Sequence, residues 1–121
     1  MITRTRFVLA VPDLARSVAY YCDVLGFDAQ DMGDAGWCFL QRDECGIMMG
    51  HCPDALPPGE IGDHSYFAYW MVDDIDAYYA MLCTRSVDFI KAISSEPWGM
   101  REFGIRTIDG HRIMVGQPVE N

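Results

Sequence analysis

Hydrophobic and polar residues alternate near the N-terminus, and the alternation then gives way to helical spacing. Phe7, Leu9 and Val11 share one face of a predicted strand, because successive side chains of a strand point to opposite sides. After Asp13 the apolar positions recur every three or four residues, which predicts a helix. The apolar stripe of this helix is Leu14, Val18, Tyr21 and Leu25. Asp13 is placed as the N-cap of the helix and Gly26 as the residue that ends it.

The same pattern returns 61 residues later, with Asp74 in the place of Asp13. The stretch "FVLAVPDLARSVAYY" is matched by "AYWMVDDIDAYYAML": each reads as an alternating strand, an aspartate N-cap and a helix. The second helical stripe is Ile75, Tyr78, Tyr79 and Leu82. Self-similarity at this period indicates two modules of one design.

Three further strands are predicted after each helix. Their ranges are about 28–32, 36–41 and 46–51 in the first half, and 88–93, 101–107 and 112–116 in the second. Asp109 and Gly110 supply a tight turn between the last two strands. The proline-rich stretch 52–63 is predicted to be a linker. We therefore predict an α+β fold in a single domain, residues 1–121, with βαβββ modules at about 5–51 and 64–117.

Alternation along the strands assigns each side chain to the helix side of its sheet or to the opposite side, which we call the cup face. Residues predicted to pack on the helices include Cys38, Leu40, Ala68, Trp70, Val72, Phe103, Ile105, Ile113 and Val115. Residues predicted on the cup face are Arg6, Val8, Ala10, Trp37, Phe39, Met48, Phe67, Tyr69, Met71, Glu102, Arg106, Arg112 and Met114. Trp98 precedes the strand that carries Glu102. The aromatic members are equally well explained as packing in the core or at a dimer interface.

Composition narrows the classes of function. The chain has 121 residues, half of them hydrophobic, which is sufficient for one globular domain. Its formal charge of −9 argues against nucleic-acid binding and is compatible with a cationic ligand. No apolar run is long enough for a membrane span and no signal peptide is read at the N-terminus, so we expect a cytoplasmic protein with no membrane partner. The five cysteines lack CxxC spacing, and we expect them to be mostly small buried hydrophobic residues.

Two motifs carry a resemblance to a known superfamily. The stretch "VPDLARSVAYYCDVLGF" resembles the first helix signature of the vicinal oxygen chelate superfamily, which includes glyoxalases, bleomycin resistance proteins and extradiol dioxygenases. The stretch "PWGMREFGIRTIDGHRI" is similar to a segment of the bleomycin resistance branch. The resemblance covers nearly the whole chain. It implies two βαβββ modules that curl into incomplete barrels, and it implies a homodimer.

The resemblance also implies where a metal would bind. Enzymes of the superfamily hold a divalent metal with histidine and glutamate from the first and last strands of each module. Those positions fall here on Arg6, Met48, Phe67 and Met114. None of them is a carboxylate or an imidazole, so we expect no metal and no other cofactor.

Three functions follow, in order of preference. The first is a binding protein of the bleomycin resistance type, which sequesters a bulky aromatic or cationic small molecule without chemistry. The second is a metal-dependent enzyme such as a lyase, epimerase or dioxygenase, and the third is an interaction module without a ligand. For the first function no catalytic residue is assigned. The candidate ligand-binding residues are Arg6, Trp37, Phe39, Met48, Phe67, Tyr69, Trp98, Glu102, Arg106, Arg112 and Met114.

Several polar residues have simpler explanations. His111 is predicted to be an exposed turn residue, and His64 a solvated loop residue. Glu102, Arg106 and Arg112 could form a cross-strand ion-pair cluster. A carboxylate among arginines would be ionised at neutral pH, which suits recognition of a charged ligand better than acid–base catalysis.

Overall fold

The computed structural model describes residues 1–31 and 35–119, and the chain divides into two compact units. Unit 1 is Met1–Leu56 and unit 2 begins at Pro57, so the division lies inside the predicted linker. That segment is not entirely irregular, because a 3₁₀ helix spans Pro58–His64 with a kink at Gly62. No helix within the described ranges has the length and apolar character needed to cross a membrane.

Unit 1 is a four-stranded sheet with one helix. Its elements are β1 (Phe7–Val11), α1 (Leu14–Asp23), β2 (Asp28–Asp31), β3 (Trp37–Arg42) and β4 (Cys45–His51). The strand order is β1-β4-β3-β2, with β1 parallel to β4 and the other pairs antiparallel. The predicted strand 28–32 is thus present, although its last position, Met32, lies outside the described residues.

Unit 2 repeats this design. Its elements are β5 (Tyr66–Met71), α2 (Ile75–Cys83), β6 (Asp88–Ser95), β7 (Met100–Arg106) and β8 (Arg112–Pro118). The order β5-β8-β7-β6 is the counterpart of the order in unit 1, again with one parallel pair. The predicted βαβββ order is therefore confirmed in both halves, and each sheet remains open.

Both helices begin as their sequences predict. The Asp13 carboxylate accepts a hydrogen bond from the backbone N–H of Arg16 at 3.1 Å, and the Asp74 carboxylate accepts one from Ala77 at 3.2 Å. These bonds satisfy first-turn N–H groups that have no partner inside the helix. Gly26 has a φ of +85°, which a glycine adopts without steric cost after a helix.

Many of the predicted helix-facing residues form the core of each unit, but Ala68 and Val72 are only partly buried and Phe7 is 37% exposed. In unit 1 the buried positions include Leu9, Val11, Tyr21, Leu25 and Leu40. In unit 2 they include Ile75, Leu82, Phe103, Ile105, Ile113 and Val115. The ring of Phe103 on β7 meets the ring of Tyr79 on α2 edge to face, at 5.1 Å between centroids. The alternation that buries these residues leaves their neighbours on the cup face of each unit.

The expectation of buried cysteines is wrong. Cys22, Cys38 and Cys45 are only partly buried, and Cys52 and Cys83 are exposed. Cys83 is the last residue of α2 and Cys52 follows the end of β4, so both lie where the chain leaves the core. All five are free thiols.

Candidate functional site

On the cup face of unit 1, one aromatic ring lies over a glycine and another lies beside a guanidinium. Trp37 covers Gly50 so closely that a Cβ on Gly50 would lie 3.0–3.2 Å from the indole ring atoms. The Arg6 guanidinium lies 4.4 Å from the centroid of the Phe39 ring, and Phe39 pairs with Met48 across β3 and β4. Trp37 stays 38% exposed. The predicted cup residues of unit 1 therefore share one face, and the largest ring on that face is partly exposed.

On the cup face of unit 2, Glu102 is the central polar residue. It lies on β7 and is only 5% exposed, yet both of its carboxylate oxygens have partners. Oε2 accepts a hydrogen bond from the Tyr69 hydroxyl at 2.7 Å, and Oε1 accepts one from Lys91 Nζ at 2.7 Å. Tyr69 reaches Glu102 across Gly116 of β8, where any side chain would collide with its hydroxyl. Gly116 therefore makes room for the Tyr69–Glu102 contact.

The Lys91 ammonium has further partners at the β6–β7 end of this face. Its Nζ lies 3.1 Å from Oε1 of Glu96 and 5.2 Å from the centroid of the Trp98 ring. Trp98 occupies the turn between β6 and β7 and is 63% exposed. We call Tyr69, Lys91, Glu96, Trp98 and Glu102 the ammonium cluster.

The contacts within the cluster favour the charged forms of Glu96, Glu102 and Lys91 and the neutral form of Tyr69. Burial alone would raise the pKa of Glu102, but hydrogen bonds from Lys91 and Tyr69 hold it below its usual value. Burial opposes the charge on Lys91, yet its bonds to Glu102 and Glu96 raise its pKa. The pKa of Glu96 is lowered by the Ser94 hydroxyl and by Lys91. Burial and the bond to the Glu102 carboxylate raise the pKa of Tyr69 to about 12.

The structure does not form the predicted ion-pair cluster of Glu102 with Arg106 and Arg112. Arg106 pairs with Asp88 at 3.3 Å, and Arg112 pairs with Asp63 at 3.1 Å. The partner of Glu102 is Lys91, which the prediction left out. Ladder irregularities between Phe89 and Lys91 and between Lys91 and Ser94 shift the register of β6, and alternation alone does not reveal such shifts. The sequence contains one feature that could have drawn attention to this residue: Lys91 is the only lysine in the chain.

The prediction that His111 is an exposed turn residue is also wrong. His111 is 9% exposed, and its ring meets Phe67 edge to face at 5.5 Å. Its backbone carbonyl accepts a hydrogen bond from Thr107 N–H at 2.8 Å, which closes the hairpin loop. Burial lowers the pKa of His111. Gly110 takes the positive φ expected of it, +92°.

The other two histidines are outside the cup faces. His64 is exposed at the end of the 3₁₀ helix, as predicted. His51 ends β4, and its Nδ1 accepts a hydrogen bond from the backbone N–H of Leu14 at 3.1 Å. It thus holds the first turn of α1, beside a shallow depression that Val18, Cys22 and Cys38 line on the helix side of unit 1.

The positions at which metal ligands were implied do not fit a divalent cation. Arg6 carries its own positive charge, Phe67 has no donor atom, and Met48 and Met114 offer only thioethers. Across the described ranges no three His, Cys, Asp or Glu side chains are grouped to hold a metal ion.

Two βαβββ units, each with an open four-stranded sheet and one helix, define the fold class of this protein. Comparison with known proteins identifies its family. The family model described as "Glyoxalase/Bleomycin resistance protein/Dioxygenase superfamily" matches residues 3–115. The chain belongs to this superfamily, as its two motifs indicated. No curated protein sequence gives a significant match.

Solved structures share the fold at low sequence identity. A bleomycin resistance determinant encoded on the transposon Tn5 is 20% identical with a TM-score of 0.79, covering 97% of this chain and 98% of that one. TnmS3, an antibiotic-binding protein from Streptomyces sp. CB03234, is 24% identical with a TM-score of 0.74, covering 98% of both chains. A bleomycin-binding protein from Streptomyces verticillus, complexed with copper(II)-bleomycin, is 22% identical with a TM-score of 0.69, covering 100% and 98%.

Proposed function

We propose that this protein binds and sequesters a bulky aromatic or cationic small molecule on its cup faces without transforming it. The observation that carries the proposal is the pairing of exposed aromatic rings with a buried carboxylate. Trp37, Tyr69 and Trp98 are 38%, 44% and 63% exposed, and Glu102 lies beneath two of them in unit 2. Exposed rings offer stacking area, and a few placed charges orient a ligand.

The electrostatics support a ligand that is cationic in part. The chain carries a formal charge of −9, and the ammonium cluster contains two carboxylates for one ammonium. A field of this sign raises the local concentration of cations and speeds their association. Proteins of similar fold include an antibiotic-binding protein and a bleomycin-binding protein, which supports a small-molecule ligand for this chain.

The protonation states favour binding over catalysis. A general acid or base works best with a pKa near the working pH. Tyr69 has a pKa of about 12, and the pKa of Glu102 lies below its ordinary value, so neither exchanges protons readily near neutrality. Both suit a fixed recognition site.

We further propose that the protein is a cytoplasmic homodimer. Val8 and Met71 lie on the cup faces and are 62% and 64% exposed, which leaves apolar surface for a second chain to cover. Sedimentation at micromolar concentration measures this directly, and a monomer there would contradict the dimer.

Tryptophan fluorescence tests the ligand class, with metal-free bleomycin as the probe. We expect saturable quenching in the wild type and a clear loss of affinity in Trp37→Leu and in Trp98→Leu, because each variant removes an exposed stacking ring. The control is Trp70→Phe, since Trp70 lies on the helix side of β5. If high micromolar bleomycin gives neither fluorescence quenching nor a heat of binding in isothermal titration calorimetry, a ligand of the bleomycin type would be contradicted.

A further inference from the structure

The ammonium cluster already contains the complete recognition set for an organic cation. Lys91 Nζ lies within 3.1 Å of one carboxylate and 2.7 Å of another, and the Trp98 ring lies 5.2 Å away. Carboxylates and an aromatic face together are the groups that bind ammonium ions in proteins. Here the ammonium they hold belongs to the protein itself.

The charges of the cluster are unequal. Glu96 and Glu102 carry two negative charges and Lys91 carries one positive charge, so the cluster has a net charge of −1 with Lys91 in place. Without the Lys91 ammonium it would have two negative charges, one of them on a residue that is only 5% exposed. A buried carboxylate without a partner is costly, so this place favours occupation by some cation at all times.

The backbone of β6 is irregular on both sides of Lys91. The β6–β7 ladder shifts register on both sides of Lys91, between Phe89 and Lys91 and between Lys91 and Ser94. Irregularities of this kind redirect side chains and are frequent beside functional sites. The flexible four-carbon stem of lysine leaves its ammonium free to move to another position without moving the strand. The side chain is 28% exposed, so a path to solvent is open.

We propose that the ammonium cluster is a binding site for the alkylammonium group of a ligand, and that Lys91 is the internal occupant which this group displaces. The ligand's ammonium takes the two carboxylates and the Trp98 face, and Lys91 swings out to solvent. The inference refines the proposed function, on which it rests, by naming one chemical group that the sequestered molecule carries.

The first test removes the occupant. Lys91→Ala deletes a fragment equivalent to n-propylammonium, so we expect n-propylammonium chloride to raise the Tm of the variant by about 4 °C or more, well above any shift in the wild type. n-Propanol and sodium chloride at matched concentration are the controls for the apolar chain and for ionic strength. Adding Glu102→Gln to Lys91→Ala should abolish the response. An equal response in variant and wild type, or to propanol and propylammonium, would overturn the proposal.

The second test uses the wild type and does not depend on the folding of a variant. Lys91 is the only lysine, so biosynthetic incorporation of ¹³C-lysine labels that side chain alone and leaves its three N–H donors intact. We expect 2-phenylethylammonium to move the ¹³Cε signal of Lys91 towards the position of a solvated lysine. The neutral analogue 2-phenylethanol should leave the signal in place. If the Lys91 signal does not respond to 2-phenylethylammonium up to its solubility limit, Lys91 is a fixed structural ion pair and the proposal fails.

Different results would reject the proposed ligand class and the proposed displacement of Lys91. A bleomycin titration without binding, together with a positive propylammonium response, would reject the ligand class but keep the site. Binding of bleomycin that leaves the Lys91 signal unmoved would keep the sequestering function and reject the displacement.

Discussion

Gly116 is the residue at which the unit 2 site is most easily broken by a small change. A Cβ placed on Gly116 would lie 2.6 Å from Cζ and 2.8 Å from Cε1 of Tyr69, and closer still to its hydroxyl. Ordinary contacts between such atoms are 3.4 Å or longer. Gly116→Ala therefore forces the Tyr69 ring to move by roughly 1 Å, given the stiffness of packed carbon contacts. That movement breaks the hydrogen bond between Tyr69 and Glu102.

The cost has two parts. Overpacking costs about 1–3 kcal/mol when the surroundings yield only in part. Loss of a hydrogen bond to a charged acceptor adds about 1.5 kcal/mol or more, since the buried Glu102 carboxylate loses one of its donors. The ring is 44% exposed, so it can swing outwards and relieve part of the strain. We expect a net loss of about 2–3 kcal/mol in the free energy of unfolding.

Urea denaturation of three glycine variants measures this graded effect. A Cβ at Gly50 meets the Trp37 ring at 3.0–3.2 Å, so Gly50→Ala should cost less, about 1 kcal/mol. A Cβ at Gly59 meets nothing within 4 Å, so Gly59→Ala should be neutral or slightly stabilising. The decisive control is Tyr69→Ala, because Gly116→Ala should cost far less in that background. Additive effects of the two substitutions, or a Gly116→Ala variant as stable as Gly59→Ala, would refute the steric reasoning.

Three further predictions concern charge and capping. Glu102→Ala should cost about 2–3 kcal/mol, because it removes the closer of the two carboxylates that pair with Lys91 and also the acceptor of the Tyr69 hydroxyl. Loss of the exposed Arg106 pair in Arg106→Ala should cost under about 1 kcal/mol, and denaturant midpoints at pH 7 compare the two. His111 has a folded-state pKa below its unfolded value of about 6.5, so its stabilising contribution is complete above pH 6.5 and is lost as the pH falls towards the lowered pKa. His111→Asn should flatten the stability profile between pH 7.5 and 5.5, and an unchanged slope would contradict the assignment. Asp74→Ala should cost about 1 kcal/mol of thermal stability through loss of the α2 N-cap, with the neighbouring Asp73→Ala as a control that keeps the cap.

Local rules of the chain predict much of this fold. A strand has period two, so alternation alone places Phe103 and Ile105 in the core and Glu102 on the cup face. Each helix starts at an aspartate whose carboxylate accepts a hydrogen bond from the backbone N–H three residues later. Each of these features depends on neighbours in sequence.

The parts that sequence reasoning missed depend on distant residues. Lys91 meets Glu102 only because the register of β6 shifts on either side of it, and no local pattern signals those shifts. Tyr69 lies over Gly116 across a parallel strand pair, 47 residues away. His111 is buried because its loop folds against Phe67, whereas a residue after an Asp-Gly turn is ordinarily solvated. Local sequence patterns therefore predict the fold, but they do not predict which polar residues contact each other in the site.

The two units use equivalent glycines for different purposes. Gly50 and Gly116 occupy the same place in β4 and β8, but Trp37 covers the first from an antiparallel neighbour and Tyr69 covers the second from a parallel one. Both glycines thus allow a large ring to lie against the sheet. An indole presents an apolar face, whereas the Tyr69 hydroxyl joins a buried carboxylate. Removal of Trp37 should therefore weaken neutral and cationic aromatic ligands alike, whereas neutralising the carboxylate beneath Tyr69 should weaken the cationic ones alone.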